Sequence, residues 1–275
     1  MDVHPTAVIA EGAELGEGVR VGPHCVVGPR VRLGDGCWLR SHVVIEGDTV
    51  LGPDCHVWPQ AVLGTMAQHR DSDPEQELGK LRIGSGNRFR EGVTINAGTP
   101  AHGGVTTLGN DNLLLAGAHI GHDATVGNNV TMTNVSMAAG HTIIQDRAVI
   151  GAMVGMHQFA RVGRLAMLAA GAMMPKDAPP YAMVHGDRAR IRGVNLIGMR
   201  RAGLSQDDIS TVKRAYRMLF WRNEVLSDRC DRVEDELGDN HLVAEILTFM
   251  RGTSRGVLMA RGRSDFDEER EPAGL

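Results

Sequence analysis

At 275 residues the chain exceeds a single typical domain, with a net charge of −4 and an aromatic content of only 4%. That balance, with no arginine or lysine stripe and no aromatic platforms, excludes a nucleic-acid partner. No apolar run of about 18 residues is present, so no transmembrane segment is expected. The N-terminal MDVHPT lacks basic and hydrophobic signal regions, which predicts a cytoplasmic protein.

From Val3 onward every sixth residue is aliphatic: Val3, Ile9, Leu15, Val21, Val27, Leu33, Leu39, Ile45, Leu51, Val57 and Leu63. The beat returns at Ile83 and Phe89, then runs unbroken from Leu108 to Met174. All 25 phased positions are apolar in a chain that is 42% hydrophobic. Independent placement would give this about once in a billion, so the repeat is real. Four residues after each beat a small or medium residue recurs, as at Cys25, Val31, Cys37, Val43, Thr49, Cys55 and Ala61. A period of six fits neither a helix nor a plain strand. It fits a short strand plus a turn, with one side chain of each unit pointing into a prism. The pattern therefore predicts a mainly β protein, a parallel β-helix of hexapeptide repeats. Three hexads make a coil of about 18 residues, and coils stack roughly 4.8 Å apart. A little over eight coils would build a prism about 40 Å long. The pattern does not fix the hand.

Cys25, Cys37 and Cys55 fall on the inward small position, and no CxxC occurs, which predicts buried thiol packing. The beat breaks twice, at the charged excursion 69–82 and the Gly-rich excursion 96–107; loops leaving a rigid solenoid commonly form binding walls. These segments complete a first unit, 1–180. After Pro179 and Pro180 helical patterning begins, defining a second unit, 181–263. Ser205 and Asp208 resemble a capping box ahead of an apolar stripe at Ile209, Val212, Tyr216, Leu219 and Phe220. A second stripe runs Leu242, Ile246, Leu247 and Met250. Such helices would cover the last coil, whose strand edges otherwise invite pairing. Residues 264–275 read as a disordered, solvated tail.

Four histidines lie in neighbouring coils: His119, His122, His141 and His157. His122 and His141 are 19 residues apart, and His141 and His157 are 16 apart, each close to one coil. That spacing sets three imidazoles near one edge of the prism on successive layers. They are surface histidines on turns, a three-histidine zinc site of the γ-type carbonic anhydrase kind, or acid–base groups flanked by substrate contacts. Asp123 beside His122 favours the last, because a carboxylate orients an imidazole and stabilises its protonated form.

AHIGHDATVGNN at Ala118 to Asn129, AAGHTI one coil on, MHQF at Met156 to Phe159, DAPPYAMVHGDRAR and GVNLIGMRR together resemble the acyl-carrier-protein:UDP-N-acetylglucosamine O-acyltransferases. These bacterial enzymes begin lipid A synthesis. The resemblance covers nearly the whole chain, including TSRG at Thr253 to Gly256, and implies a left-handed β-helix and a homotrimer with sites between subunits. It implies that His122 is the general base for attack on the thioester of a 3-hydroxyacyl-carrier protein, that Asp123 orients it, and that the Gly140 amide is the oxyanion donor. His141, His157 and Gln158 would hold the sugar and diphosphate; Asn195 and Arg201 match positions contacting nucleotide and phosphates. No metal or dissociable cofactor is implied, the phosphopantetheine arm of the carrier protein arriving as part of the donor. A related family that acylates the 2-amine later in the pathway carries an extra N-terminal domain, for which hexads starting at residue 3 leave no room.

The first excursion departs from the family pattern: His69 and Asp71 stand nearest to an expected Asp and Lys. In the second, Asn96-Ala97-Gly98-Thr99 replaces an HRGT motif. Both bear on whether the acceptor is the 3-hydroxyl sugar or its 3-amino form, and so on an O- or an N-acyltransferase. Met132, Met156 and Met174 sit on inward beats as core filler, while other methionines in the same stretch suit an adaptable acyl groove. Ala170 matches the position that acts as a ruler for acyl-chain length.

Overall fold

The computed structural model describes residues 2–69, 73, 79–100, 104–220 and 225–260. Asp71 and the expected tail 264–275 lie outside the described residues.

Each hexad folds as a two-residue strand and a four-residue turn. In His119–Ile120 the first side chain faces outward and the second inward, and residues 121–124 then turn the corner. The third turn residue adopts left-handed φ, as at Asp123 (58°), Asn129 (55°), Val135 (57°) and His141 (58°). The fourth points into the corner of the prism, where room is scarce. That explains the small residues: Cys25, Cys37, Cys55, Ala124 and Ala148 are all fully buried. Burial pushes the Cys25 thiol up, as packing rather than reactivity requires.

Strands related by one coil pair in parallel, so Val8 faces Val26 and His119 faces Met137. Among the described residues this gives sheet I of eleven strands, sheet II of nine and sheet III of eight, the three walls of a left-handed parallel β-helix. From Val21 on, every beat residue is buried, whereas Val3, Ile9 and Leu15 in the open first coil are only half-buried. Ile95 also sits inward, fully buried, on a beat flanked by both excursions.

The excursions lengthen two coils. His56 pairs with Arg88 and Arg88 with Leu113, separations of 32 and 25 residues against the usual 18. Their expected C-terminal ends are too long, because Lys80–Ile83 and Val105–Leu108 are strands of sheet III. Both excursions leave the prism at the corner between sheets II and III.

Hexads stop near residue 180, but sheet I does not. Ala182–His185 pairs in parallel with Met167–Leu168, and Arg190–Val194 closes the edge antiparallel. Among the described residues four helices follow: α1 (Leu196–Arg201), α2 (Gln206–Phe220), α3 (Leu226–Leu237) and α4 (His241–Arg251). The Ser205 hydroxyl accepts from the Asp208 amide at 3.0 Å and donates to its carboxylate at 2.7 Å, so the start of α2 is capped as expected. Both predicted stripes are buried. The sequence did not announce α3, whose buried face includes only Cys230 and Val233 among apolar residues.

The helices are bolted to the last coils. Glu245 of α4 receives Arg164 at 2.6 Å and the Tyr181 hydroxyl, while Arg161 reaches the Phe249 carbonyl at 2.7 Å. Burial and then Glu245 push the Tyr181 phenol up, so it remains a donor.

Candidate active site

Registering coils at 18 residues places side chains more sharply than counting near-coil gaps. In the corner between sheets II and III, position two of the turn is His122, then Gly140, then Gln158. Position three is Asp123, then His141, then Phe159. His122 therefore leans over a residue with no side chain. A Cβ on Gly140 would lie 2.6 Å from His122 Nε2 and 2.7 Å from Cε1. Glycine here is required by the imidazole of the previous coil.

His122 is buried, and its Nδ1 lies 2.7 Å from Asp123 Oδ2. Against an ionised carboxylate that nitrogen is the donor, which leaves Nε2 as the acceptor. Burial alone would raise the Asp123 carboxyl, but hydrogen bonds from His122 and Thr99 outweigh it and hold it below the usual range. His141 approaches the same oxygen at 3.8 Å through Nε2 and stacks on Phe159, ring centres 4.5 Å apart. No described atom accepts the Gly140 N–H, and Gly140 lines the same groove as His122.

That groove, of about 840 Å³, follows the outer face of sheet II. Its floor steps along successive coils from His119 to Met137, Gly155 and Met173, and its far end carries Lys176, Asp187, Arg188 and Arg190. The methionines of this stretch divide between the core and the groove. Met132, Met156 and Met174 are buried on inward beats, while Met137 and Met173, 47% and 44% exposed, present polarisable surface to the groove.

Of the expected site residues, His122, Gly140, His157 and Gln158 line the groove, with Asp123 and His141 supporting them from the corner. His69 is exposed and stands off it, although its neighbour Gln68 lines it. Asn195 spends its side chain within the chain: Oδ1 caps α1 by accepting from Gly198 N, and Nδ2 donates to the Leu165 carbonyl, both at 2.9 Å. Arg201 is exposed at the end of α1, and Ala170 is exposed on the corner between sheets I and II; neither reaches the groove of its own chain.

Three further residues belong to the site. His119 faces the groove with Nδ1 2.8 Å from the Thr94 hydroxyl, and burial pushes its pKa down, so it is neutral at neutral pH. Its outward strand position in HIGHD was the available signal. Asn96 lines the groove and donates to the Met66 carbonyl at 2.7 Å, and its buried Oδ1 has no donor among the described residues. Thr99 holds Asp123.

His122, Asp123 and His141 offer ligand atoms within 4.8 Å of one another. Their arrangement fits a zinc ion poorly. Asp123 already accepts the Thr99 amide at 2.9 Å, the Thr99 hydroxyl at 2.7 Å and the His122 ring, and a metal would displace these contacts.

A hexapeptide prism bearing an oriented imidazole and a free amide beside an apolar groove defines a transferase of the hexapeptide-repeat class. Residues 30–65 match the family described as bacterial transferase hexapeptide (six repeats), and residues 177–258 match the second domain of UDP-N-acetylglucosamine O-acyltransferase. An acyl-[acyl-carrier-protein]–UDP-N-acetylglucosamine O-acyltransferase of Sinorhizobium fredii is 40% identical over 261 residues, covering 95% of this chain and 96% of the relative. A crystal structure of a UDP-N-acetylglucosamine acyltransferase superposes with a TM-score of 0.90 at 36% identity, covering 94% of this chain and 99% of that one. The Francisella novicida enzyme of the same description gives 0.91 at 30% identity, with 94% of each chain covered. The chain belongs to the family of acyl-[acyl-carrier-protein]–UDP-N-acetylglucosamine O-acyltransferases.

Proposed function

We infer that the protein transfers a 3-hydroxyacyl chain from acyl-carrier protein to the 3-hydroxyl of UDP-N-acetylglucosamine, the first step of lipid A synthesis. The observation that carries this reading is the His122–Asp123 pair set against the free Gly140 amide in one apolar groove. His122 Nε2 takes the proton of the sugar hydroxyl as its oxygen attacks the thioester carbonyl. The Gly140 N–H receives the developing oxyanion. Collapse expels the phosphopantetheine thiolate, which is protonated by the His122 imidazolium, so the base is regenerated and no cofactor is consumed. Asp123 holds the ring and stabilises its charged form. Neutral His119 supplies a groove hydrogen bond, and His157 and Gln158 flank the acceptor.

Ala170, Asn195 and Arg201 stand away from the groove of their own chain. They support a homotrimer in which a neighbouring copy brings Ala170 to the acyl chain and Arg201 to phosphate. His69 and Asp71, the latter outside the described residues, are assigned to acceptor binding on the family resemblance alone. Among the described residues no helix is long and apolar enough to cross a membrane; we assign the enzyme to the cytoplasm, where acyl-carrier donors are made.

One observation favours a second acceptor. Asn96, first residue of the Asn96-Ala97-Gly98-Thr99 stretch that departs from the family pattern, lines the groove, which keeps the 3-amino sugar as the alternative acceptor. The deciding experiment is a coupled assay offering UDP-N-acetylglucosamine and its 3-amino analogue with hydroxyacyl-carrier proteins of several lengths. Acylation of the hydroxyl sugar with the higher kcat/KM is expected. A preference above about tenfold, or ~1.4 kcal/mol, for the amine overturns the hydroxyl assignment, and no transfer to either overturns the function.

A further inference from the structure

The Gly-rich excursion does more than wall the groove. Its two legs are pinched together where it leaves the prism: a Cβ on Gly98 would fall 2.1 Å from the Val105 amide nitrogen, and one on Gly79 would fall 2.1 Å from the Gly98 carbonyl. Backbone bonds hold the pinch, from Ala97 N to the Thr65 carbonyl at 2.8 Å, Gly98 N to Lys80 at 3.1 Å and Lys80 N to Gly104 at 2.6 Å. Only glycine permits such backbone contact. The next residue, Thr99, is thereby delivered to Asp123 on the prism corner. Its amide donates to Oδ1 at 2.9 Å and its hydroxyl to Oδ2 at 2.7 Å. From the other side, the Asp123 amide donates to the Thr106 hydroxyl at 2.8 Å. Thr99 is not part of the groove lining, so its route to the chemistry runs through Asp123 alone.

We propose that Thr99 is a positioning residue for the general base: its two-point hold on Asp123 aims Oδ2 at His122 Nδ1, keeping that nitrogen protonated and Nε2 bare toward the groove. Rotation of a carboxylate held at one oxygen is soft, and rotation of one held at both is not. Thr99 also shares the charge of Oδ2. Without its hydroxyl, Asp123 is a stronger partner for the imidazolium, which becomes easier to form. Among the described residues, the titratable groups facing the pair are His119 in the same coil and His141 in the next.

The inference rests on His122 as base, and its test is the pH dependence of kcat/KM in Thr99→Val, which keeps shape and amide but loses the hydroxyl, beside Thr99→Ser, which restores it. The valine variant is expected to lose at least about tenfold in kcat/KM and to move the acid limb of the profile up by about half a pH unit, with serine close to the unaltered enzyme. A limb that stays or moves down, or serine that fails to restore it, overturns the proposal. Should the valine variant not fold, 15N resonances of the His122 ring in the unaltered protein decide: Nδ1 protonated at neutral pH is expected, and Nε2 protonated overturns the clamp. That measurement needs no turnover, so a failed clamp and a failed acyltransferase reading give different results.

Discussion

Two corners of the same prism treat the same backbone amide in opposite ways. At the corner between sheets III and I, the second turn residue of several coils donates its N–H to a side chain of the next. Ser85 donates to Asn110, Asn110 to Asn128 and Asn128 to Asp146, at 2.7–2.8 Å. At the corner between sheets II and III the equivalent residues are His122, Gly140 and Gln158, and no such ladder forms among the described residues. The turn geometry is shared, with left-handed φ at Asn129 and Asp123 alike. What differs is whether the next coil supplies a short acceptor. Where it does, the amide is structural; where it does not, the amide is free for a ligand. The fold repeats positions, and side chains decide which corner becomes chemical.

The comparison breaks if the second corner tolerates change as the first should. His122→Ala is expected to lower kcat/KM by about 10²–10⁴, with folding intact, because the base is gone while its neighbours remain. Steady-state kinetics beside circular dichroism check this, and near-normal turnover refutes the assignment. Gly140→Ala follows with a loss of about 10²–10³, comparable to removing an oxyanion donor. Its route differs. The added methyl lands on the His122 ring, so the crystal structure of the variant should show that imidazole rotated away from Asp123.

Much of this was legible in the sequence, for one physical reason: a solenoid converts sequence interval into stacking. Beat residues had to be inward, and they are. The histidine cluster was found by the same arithmetic, although near-coil gaps of 19 and 16 blurred it. The 18-residue register instead pairs His122 with Gly140 and Asp123 with His141, a reading that needs only the sequence. Irregular chain defeats this arithmetic. Thr99 meets Asp123 because a glycine pinch folds the excursion back on the corner, and no periodicity encodes that. Asn195 shows another limit, since a matching residue type did not foretell that its carboxamide caps α1 and ties it to Leu165.

Ala170 sharpens the comparison from the third corner, between sheets I and II. If a neighbouring copy presents it to the acyl chain, Ala170→Met should shorten the preferred donor, adding about 1–3 kcal/mol against the longest chains. Selectivity across a carrier-protein series reads this directly. An unchanged series would mean that the groove ends on other residues, with Arg188 and Lys176 at its far end the next to examine.

The smallest effect belongs to the structural ladder. Asn128 Oδ1 accepts the Asn110 backbone amide at 2.8 Å and the Asn110 side-chain amide at 3.1 Å, and Asn128 Nδ2 donates to Asp146 at 3.2 Å. Asn128→Ala removes all three contacts, but Asn110 is exposed and water can replace the lost acceptor. The cost should therefore be about 1 kcal/mol, the net worth of one ordinary hydrogen bond, rather than the penalty of a buried orphan. A denaturant midpoint should fall slightly at constant slope, while kcat/KM for acyl transfer stays within about twofold. A turnover loss approaching that of Gly140→Ala would show that the two corners are coupled through the prism, and the division between a structural and a chemical corner would fail.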